Sequence, residues 1–179
     1  MSKTYRMNIA GVDCDLPLCS VNENLDIAAF IMFGNVEVTV AAAKELLSKV
    51  PDFDVILTPE AKSIPLAYEM ARQSKKPYVV ARKGTKVYMT DPISVSVKSI
   101  TTDRVQTLFL GSAEVELLNG KKVLVVDDVI STGESLAAVR ELLKEANGVE
   151  AASCAVLAEG DAADRGDIIF LKKLPLFYK

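Results

Sequence analysis

Residues 123–135, Val-Leu-Val-Val-Asp-Asp-Val-Ile-Ser-Thr-Gly-Glu-Ser, restrict the fold more than any other stretch of the chain. Four aliphatic residues in a row suit a strand buried on both faces, as in a parallel sheet. Asp127 and Asp128 stand at its carboxyl end, and a short loop of hydroxyls and glycine follows. Leu136, Val139, Leu142 and Leu143 then recur at helical spacing. A strand that passes through such a loop into a helix can hold a phosphate. Backbone N–H groups at the helix start face the anion, and Ser131, Thr132 and Ser135 add hydroxyl donors. Gly133 permits close backbone approach. The two carboxylates lie one step away, placed to accept hydrogen bonds from sugar hydroxyls. Phosphate donors beside hydroxyl acceptors describe a ribose 5-phosphate site.

Two plainer readings compete. An aliphatic strand ending in paired acids also opens receiver domains, where the acids bind magnesium. There about a hundred residues follow, whereas only residues 136–179 follow here. Alternatively, Ser131 or Thr132 merely caps a helix, with Glu134 favourable beside its positive end. Capping explains the hydroxyls but not two adjacent acids at a strand terminus.

Composition narrows the chemistry. The chain of 179 residues has no histidine, which removes Ser-His-Asp and Cys-His catalysis and any histidine-ligated metal. Carboxylates, Lys, Arg, backbone N–H groups or a substrate-borne metal must do the work. A net charge of −3 suits a nucleic-acid binder poorly. No apolar run approaches the roughly 18 residues that span a membrane, so neither nucleic acid nor membrane is expected as a partner. Cys14, Cys19 and Cys154 lack metal-ligand spacing and point to reduced thiols in a cytoplasm.

Alternating strand and helix signals predict an α/β fold with a central, mostly parallel sheet flanked by helices. Residues 5 to 19 read as an irregular strand or hairpin with turn signals at Gly11 and Pro17. A helix is expected from Asn35 to about Val50, with Val36, Val40, Ala43, Leu46 and Leu47 as its apolar face. A strand at Phe53 to Leu57, a helix from Ser63 to Gln73 and a strand at Val79 and Val80 follow. Residues 86 to 110, rich in Ser and Thr, suit an antiparallel flap, and Leu110 to Gly120 leads into the aliphatic strand. Strands near Ala151 to Ala158 and Ile168 to Leu171 close the chain. A single domain over 1–179 is the expected organisation, with an N-terminal hood at 1–34 and a core at 35–179 that carries a flap at 84–108.

Residues 123–135 resemble the phosphoribosyl diphosphate (PRPP) signature of type I phosphoribosyltransferases. The resemblance implies that Asp127 and Asp128 contact the ribose 2- and 3-hydroxyls with Mg2+ nearby, held directly by no side chain or by these two through water. It implies that Ser131, Thr132, Gly133, Glu134 and Ser135 cradle the 5-phosphate and that Val129 packs under the base. Glu134 replaces the Gly or Lys of many members, so its carboxylate should face solvent while its N–H donates. The segment Thr-Pro-Glu-Ala-Lys-Ser at 58–63 is similar to the pyrophosphate loop of purine members. That match assigns Glu60, Ala61, Lys62 and Ser63 to pyrophosphate; a helix capped by Ser63 with Lys62 in solvent is the alternative. Arg82, Lys83 and Lys86 resemble the basic start of the family's mobile flap and would add charge there.

Base choice is less marked. Mammalian-type 6-oxopurine members carry an acid where Ser131 stands, which favours adenine here. Against that, Ser99-Ile100-Thr101 stands where adenine members usually show Glu-Tyr-Gly, and Arg104-Val105-Gln106-Thr107 is similar to the flap of xanthine enzymes and purine repressors. The expectation is a purine phosphoribosyltransferase with adenine preferred. A hypoxanthine or xanthine enzyme, or a PRPP-binding regulator without catalysis, are the alternatives. The enzyme is favoured because neither an added helical DNA-binding unit nor a basic face is evident. The family is commonly dimeric, and a homodimer is expected.

Overall fold

The computed structural model describes residues 3–98 and 105–179. In chain order it contains β1 (Thr4–Ile9), β2 (Val12–Asn22), β3 (Leu25–Ala28), α1 (Val36–Leu47), β4 (Val55–Pro59), α2 (Ile64–Ser74) and β5 (Tyr78–Ala81). Then come β6 (Ile93–Lys98), β7 (Val105–Leu110), α3 (Ser112–Leu118), β8 (Lys122–Ile130), α4 (Glu134–Glu145), β9 (Val149–Glu159), a 3-10 turn (Gly160–Asp164), β10 (Ile169–Leu174) and β11 (Leu176–Tyr178).

The central sheet has the order β10-β9-β8-β4-β5, and every pairing in it is parallel. Its middle strands are buried on both faces: Val123 to Val126 and Val55 to Leu57 are all inaccessible, as an unbroken aliphatic run requires. One face packs Leu124 and Val126 against α1, α2 and the N-terminal strands. The other packs Val123 and Val125 against α4 and the β6–β7 hairpin. All four apolar residues expected on α4 are buried there. Burying each such side chain contributes about 1.5–3 kcal/mol, so the helix that opens at the hydroxyl loop is firmly docked.

Helix α1 starts where expected, with the Asn35 side chain accepting the Val38 N–H at 3.2 Å. Its buried face agrees with the expected one at Ala43 and Leu46 but is completed by Val38 and Ala42, while Val36 is 73% and Val40 39% exposed. Two apolar residues at i and i+4 therefore mark an outer stripe. Pro17 was expected to turn the chain but lies within β2, opposite Thr4. Only Ala10 and Gly11, both at positive φ, make the hairpin turn. The N-terminal sheet, β1-β2-β3-β11, takes its fourth strand from the other end of the chain: Leu176 pairs with Ile27. No helix among the described residues is long and apolar enough to cross a membrane.

Candidate functional site

Three loops meet at the carboxyl edge of the central sheet because parallel strands put all their ends on one side. Asp127 and Asp128 come from the end of β8. Asp127 Oδ1 accepts the Asp128 N–H at 2.9 Å. Burial, with the negative charge of Asp128 beside it, holds the Asp127 carboxyl well above the usual carboxylate range. Asp128 is buried, and its Oδ2 has no hydrogen bond among the described residues, although the Lys62 ammonium lies 3.1 Å away.

The loop after β8 is built from residues 131–135. Gly133 is the N-cap of α4 at φ 83°, and no side chain caps the helix. The capping alternative for Ser131 and Thr132 is therefore not what the structure shows. Both are exposed. The N–H groups of Ser131, Thr132, Gly133 and Ser135 donate to no group among the described residues, and they border a small cavity of about 80 Å³ with Asp127, Val129 and Leu136. Ser135 Oγ donates to Gln106 Oε1 at 3.3 Å, tying this loop to β7. Glu134 is half-buried rather than turned fully to solvent. Val129 is also half-buried and rests on the core.

The loop after β4 is positioned by hydroxyls. Thr58 Oγ1 lies 2.8 Å from both the Val126 carbonyl oxygen and Ser63 Oγ, and Ser63 Oγ donates to the Pro59 carbonyl at 2.9 Å. Ser63 stands at the N-cap of α2 without a side-chain capping bond, so its hydroxyl holds the loop to β4. The peptide bond from Glu60 to Ala61 is cis. The N–H groups of Ala61, Lys62 and Ser63 have no acceptor among the described residues. Lys62 reaches Asp128 and is not simply solvated.

The third contribution follows β5. Arg82 pairs with Phe109 through two backbone hydrogen bonds of 2.9 and 2.8 Å, so β7 extends the sheet edge. The Glu60 carboxylate accepts the Lys83 N–H at 2.8 Å and lies 3.6 Å from Arg82 Nη2. Arg82 Nε is buried without a hydrogen-bond partner among the described residues. The side chains of Lys83 and Lys86 are exposed and form no ion pair among the described residues. The structure thus brings Glu60, Lys62, Arg82, Asp127, Asp128 and the 131–135 loop to one edge, and leaves Lys83 and Lys86 at its margin. Ser99, Ile100, Thr101 and Arg104 lie outside the described residues. Thr58 and Glu159, whose carboxyl is raised by burial at the end of β9, were not singled out in the sequence. Thr58 opens the 58–63 segment without a role assigned to it, and Glu159 belongs to no motif; only the folded edge shows what each sits beside.

Two sets of unpaired N–H groups flanking an acid pair, with Lys62 between them, can hold two anionic groups on either side of a polyhydroxyl unit. Among the described residues no group of three or more His, Cys, Asp or Glu side chains gathers around a metal.

A profile described as the phosphoribosyl transferase domain matches residues 36–173. The chain is 34% identical over 113 residues to the purine biosynthesis transcriptional repressor PurR of Bacillus subtilis, covering 63% of this chain and 39% of the repressor. It is 31% identical over 116 residues to an adenine phosphoribosyltransferase of Kosmotoga olearia, covering 64% of each. The chain thus spans less than two thirds of the length of these relatives. The crystal structure of adenine phosphoribosyltransferase from Thermoanaerobacter pseudethanolicus has the same fold, with a TM-score of 0.67 at 19% identity, covering 96% of this chain and 95% of the other.

Proposed function

The chain belongs to the phosphoribosyl transferase domain family, and from that premise we propose that it moves the 5-phosphoribosyl group of PRPP onto a purine, adenine first. The products are the nucleoside monophosphate and pyrophosphate. The observation that carries this reading is the acid pair of half-buried Asp127 and buried Asp128, set between two loops of N–H groups unpaired among the described residues. The 131–135 loop takes the 5-phosphate, and the 60–63 loop with Lys62 and Arg82 takes the pyrophosphate. Glu60 orients Arg82 and the Lys83 backbone; its own charge would repel an anion.

In the reaction the bond from C1 to the pyrophosphate oxygen breaks and its electron pair leaves with pyrophosphate. The sugar becomes oxocarbenium-like, N9 of the base bonds to C1 with inversion, and the N9 proton goes to solvent. Asp127 and Asp128 accept the ribose hydroxyls and oppose the developing positive charge, while Lys62 and Arg82 stabilise the departing anion. The family resemblance implies Mg2+. Asp127 and Asp128, with Asp128 Oδ2 making no hydrogen bond among the described residues, are the carboxylates that would meet such a cation. When bound, it neutralises charge on the leaving group. A homodimer belongs to the same reading. It is supported by exposed Val36, Val40 and Tyr68, which line one groove with Met32 and Pro65.

Incubation with PRPP, magnesium and each of adenine, hypoxanthine, guanine and xanthine tests this reading through pyrophosphate release. Adenine should be fastest and hypoxanthine next. A second reading, a PRPP-binding regulator, is favoured by the likeness to a transcriptional repressor. It requires PRPP binding, no pyrophosphate release with any base, and a shift of duplex DNA at moderate salt.

A further inference from the structure

The 131–135 loop contains no Lys or Arg and includes the acidic Glu134, yet a phosphate dianion is best held where a fixed cation joins the backbone donors. Such a cation stands beside it on another element. Arg165 follows the 3-10 turn at the end of β9, the strand next to β8. Its Nε donates to Asp167 Oδ1 at 2.9 Å and its Nη2 to Asp167 Oδ2 at 2.7 Å. That two-point grip fixes the guanidinium plane. Asp167 is held in turn by Arg140 Nη1 at 2.7 Å, and Arg140 by Glu150 Oε1 at 2.9 and 3.0 Å. The four side chains form a brace running from α4 and β9 to the loop.

The remaining nitrogen is turned the other way. Arg165 Nη1 lies against Gly133, so closely that a Cβ at that position would collide with it. It donates to no acceptor among the described residues. Gly133 is the left-handed residue from which α4 departs, in the middle of the unpaired N–H groups. The Arg165 side chain is 31% exposed, so its charge is partly shielded from water and its place is fixed from behind by Asp167.

We infer that Arg165 is a binding residue for the 5-phosphate, supplying through Nη1 the fixed positive charge that the 131–135 loop lacks. This rests on the reading of that loop as the phosphate cradle. It also gives Gly133 a second role beyond its φ: the missing side chain leaves room for the guanidinium beside the loop backbone.

Calorimetric titration of the full chain with ribose 5-phosphate and, separately, with inorganic pyrophosphate tests the assignment. Arg165→Gln should weaken ribose 5-phosphate about tenfold to a hundredfold, the usual effect of a charge-assisted contact, and leave pyrophosphate binding unchanged. Arg165→Lys, which keeps the charge without the two-point grip, should recover part of the loss. It also serves as the test variant should the Gln form fail to fold. Unchanged ribose 5-phosphate affinity in Arg165→Gln overturns the assignment. So does an equal loss for both ligands, which would mark Arg165 as a general structural support. Wild-type chain that binds pyrophosphate but no ribose 5-phosphate would instead overturn the cradle reading itself.

Discussion

The Lys62 ammonium lies 3.1 Å from Asp128 Oδ2, joining the loop after β4 to the end of β8. The Asp128 side chain is only 5% exposed and the Lys62 side chain 56%, so the pair is unlike an ordinary surface bridge of little worth. Among the described residues Lys62 is also the one partner of an oxygen that otherwise has no hydrogen bond. A substrate with an anion on one side and hydroxyls on the other can enter between the two. In the proposed reaction Lys62 would turn to the anion while Asp128 takes a hydroxyl.

Lys62→Ala and Arg82→Ala should therefore weaken PRPP more than the base. Each removes a charge-assisted contact to pyrophosphate, a loss of about 1.5–3 kcal/mol, roughly tenfold to a hundredfold in affinity. Separate titrations of PRPP and adenine check this. Unchanged PRPP affinity in both variants would return these residues to solvated surface.

The double variant Asp127→Asn with Asp128→Asn should lose nearly all transfer while keeping its fold. The two carboxylates it lacks would oppose positive charge on the sugar only as the transition state forms, an effect of about 2–4 kcal/mol for a comparable contact. Turnover at the wild-type level, with an intact circular dichroism spectrum, would sink the proposed role.

Stability should move the opposite way from activity at Asp127. Its carboxyl is raised in the folded chain by burial and by Asp128, so the folded state binds this proton more tightly than the unfolded one. The resulting stability is full below the unfolded value of about 3.9 and is lost as pH rises through the folded value. Asp127→Asn should then melt above wild type at neutral pH, with the gap shrinking toward about pH 4. Melting curves across that range decide it; a gap independent of pH would show that the proton is not the cause.

The strand of β8, the face of α4 and the acid pair were legible in the sequence because each is written in consecutive or regularly spaced residues. The rest depends on distant contacts. Val36 and Val40 have the right spacing for a buried face, but packing against α2, β9 and β10 turns Val38 and Ala42 inward instead, beside the expected Ala43 and Leu46. Helix α3 went unread since its N-cap is Gly111, without a capping side chain, and only Leu118 is buried. The three residues of β11 are too short a run to read as a strand alone and pair with β3. In the site, Arg165 was missed because its meaning lies in Asp167 behind it and Gly133 in front, and no motif joins them.

The hydrogen bond from Ser135 to Gln106 predicts a link between the phosphate loop and the flap. A neutral side-chain hydrogen bond contributes about 0.5–1.5 kcal/mol. Gln106→Leu should change ribose 5-phosphate affinity by no more than roughly tenfold, and it should speed amide exchange in β7. Exchange rates in Val105 to Leu110 equal to those of the wild type would show that the contact does not anchor the flap.

The last expectation concerns the base. Ser131 is exposed at the start of the phosphate loop, at the position where mammalian-type 6-oxopurine enzymes resembling this family carry an acid near N7. A serine offers no carboxylate to exchange a proton there, which leaves adenine the better matched base. Ser131→Asp should therefore raise hypoxanthine transfer relative to adenine. A site that pairs with one exocyclic group rejects the other when a mismatched polar group stays buried, so the ratio should shift by about tenfold or more. The new negative charge would also sit beside the 5-phosphate, and it should raise the KM for PRPP with both bases alike. Steady-state rates with each base at saturating PRPP separate these two effects. An unaltered adenine-to-hypoxanthine ratio, alongside the raised KM, would move base selection away from Ser131 and onto the N-terminal strands.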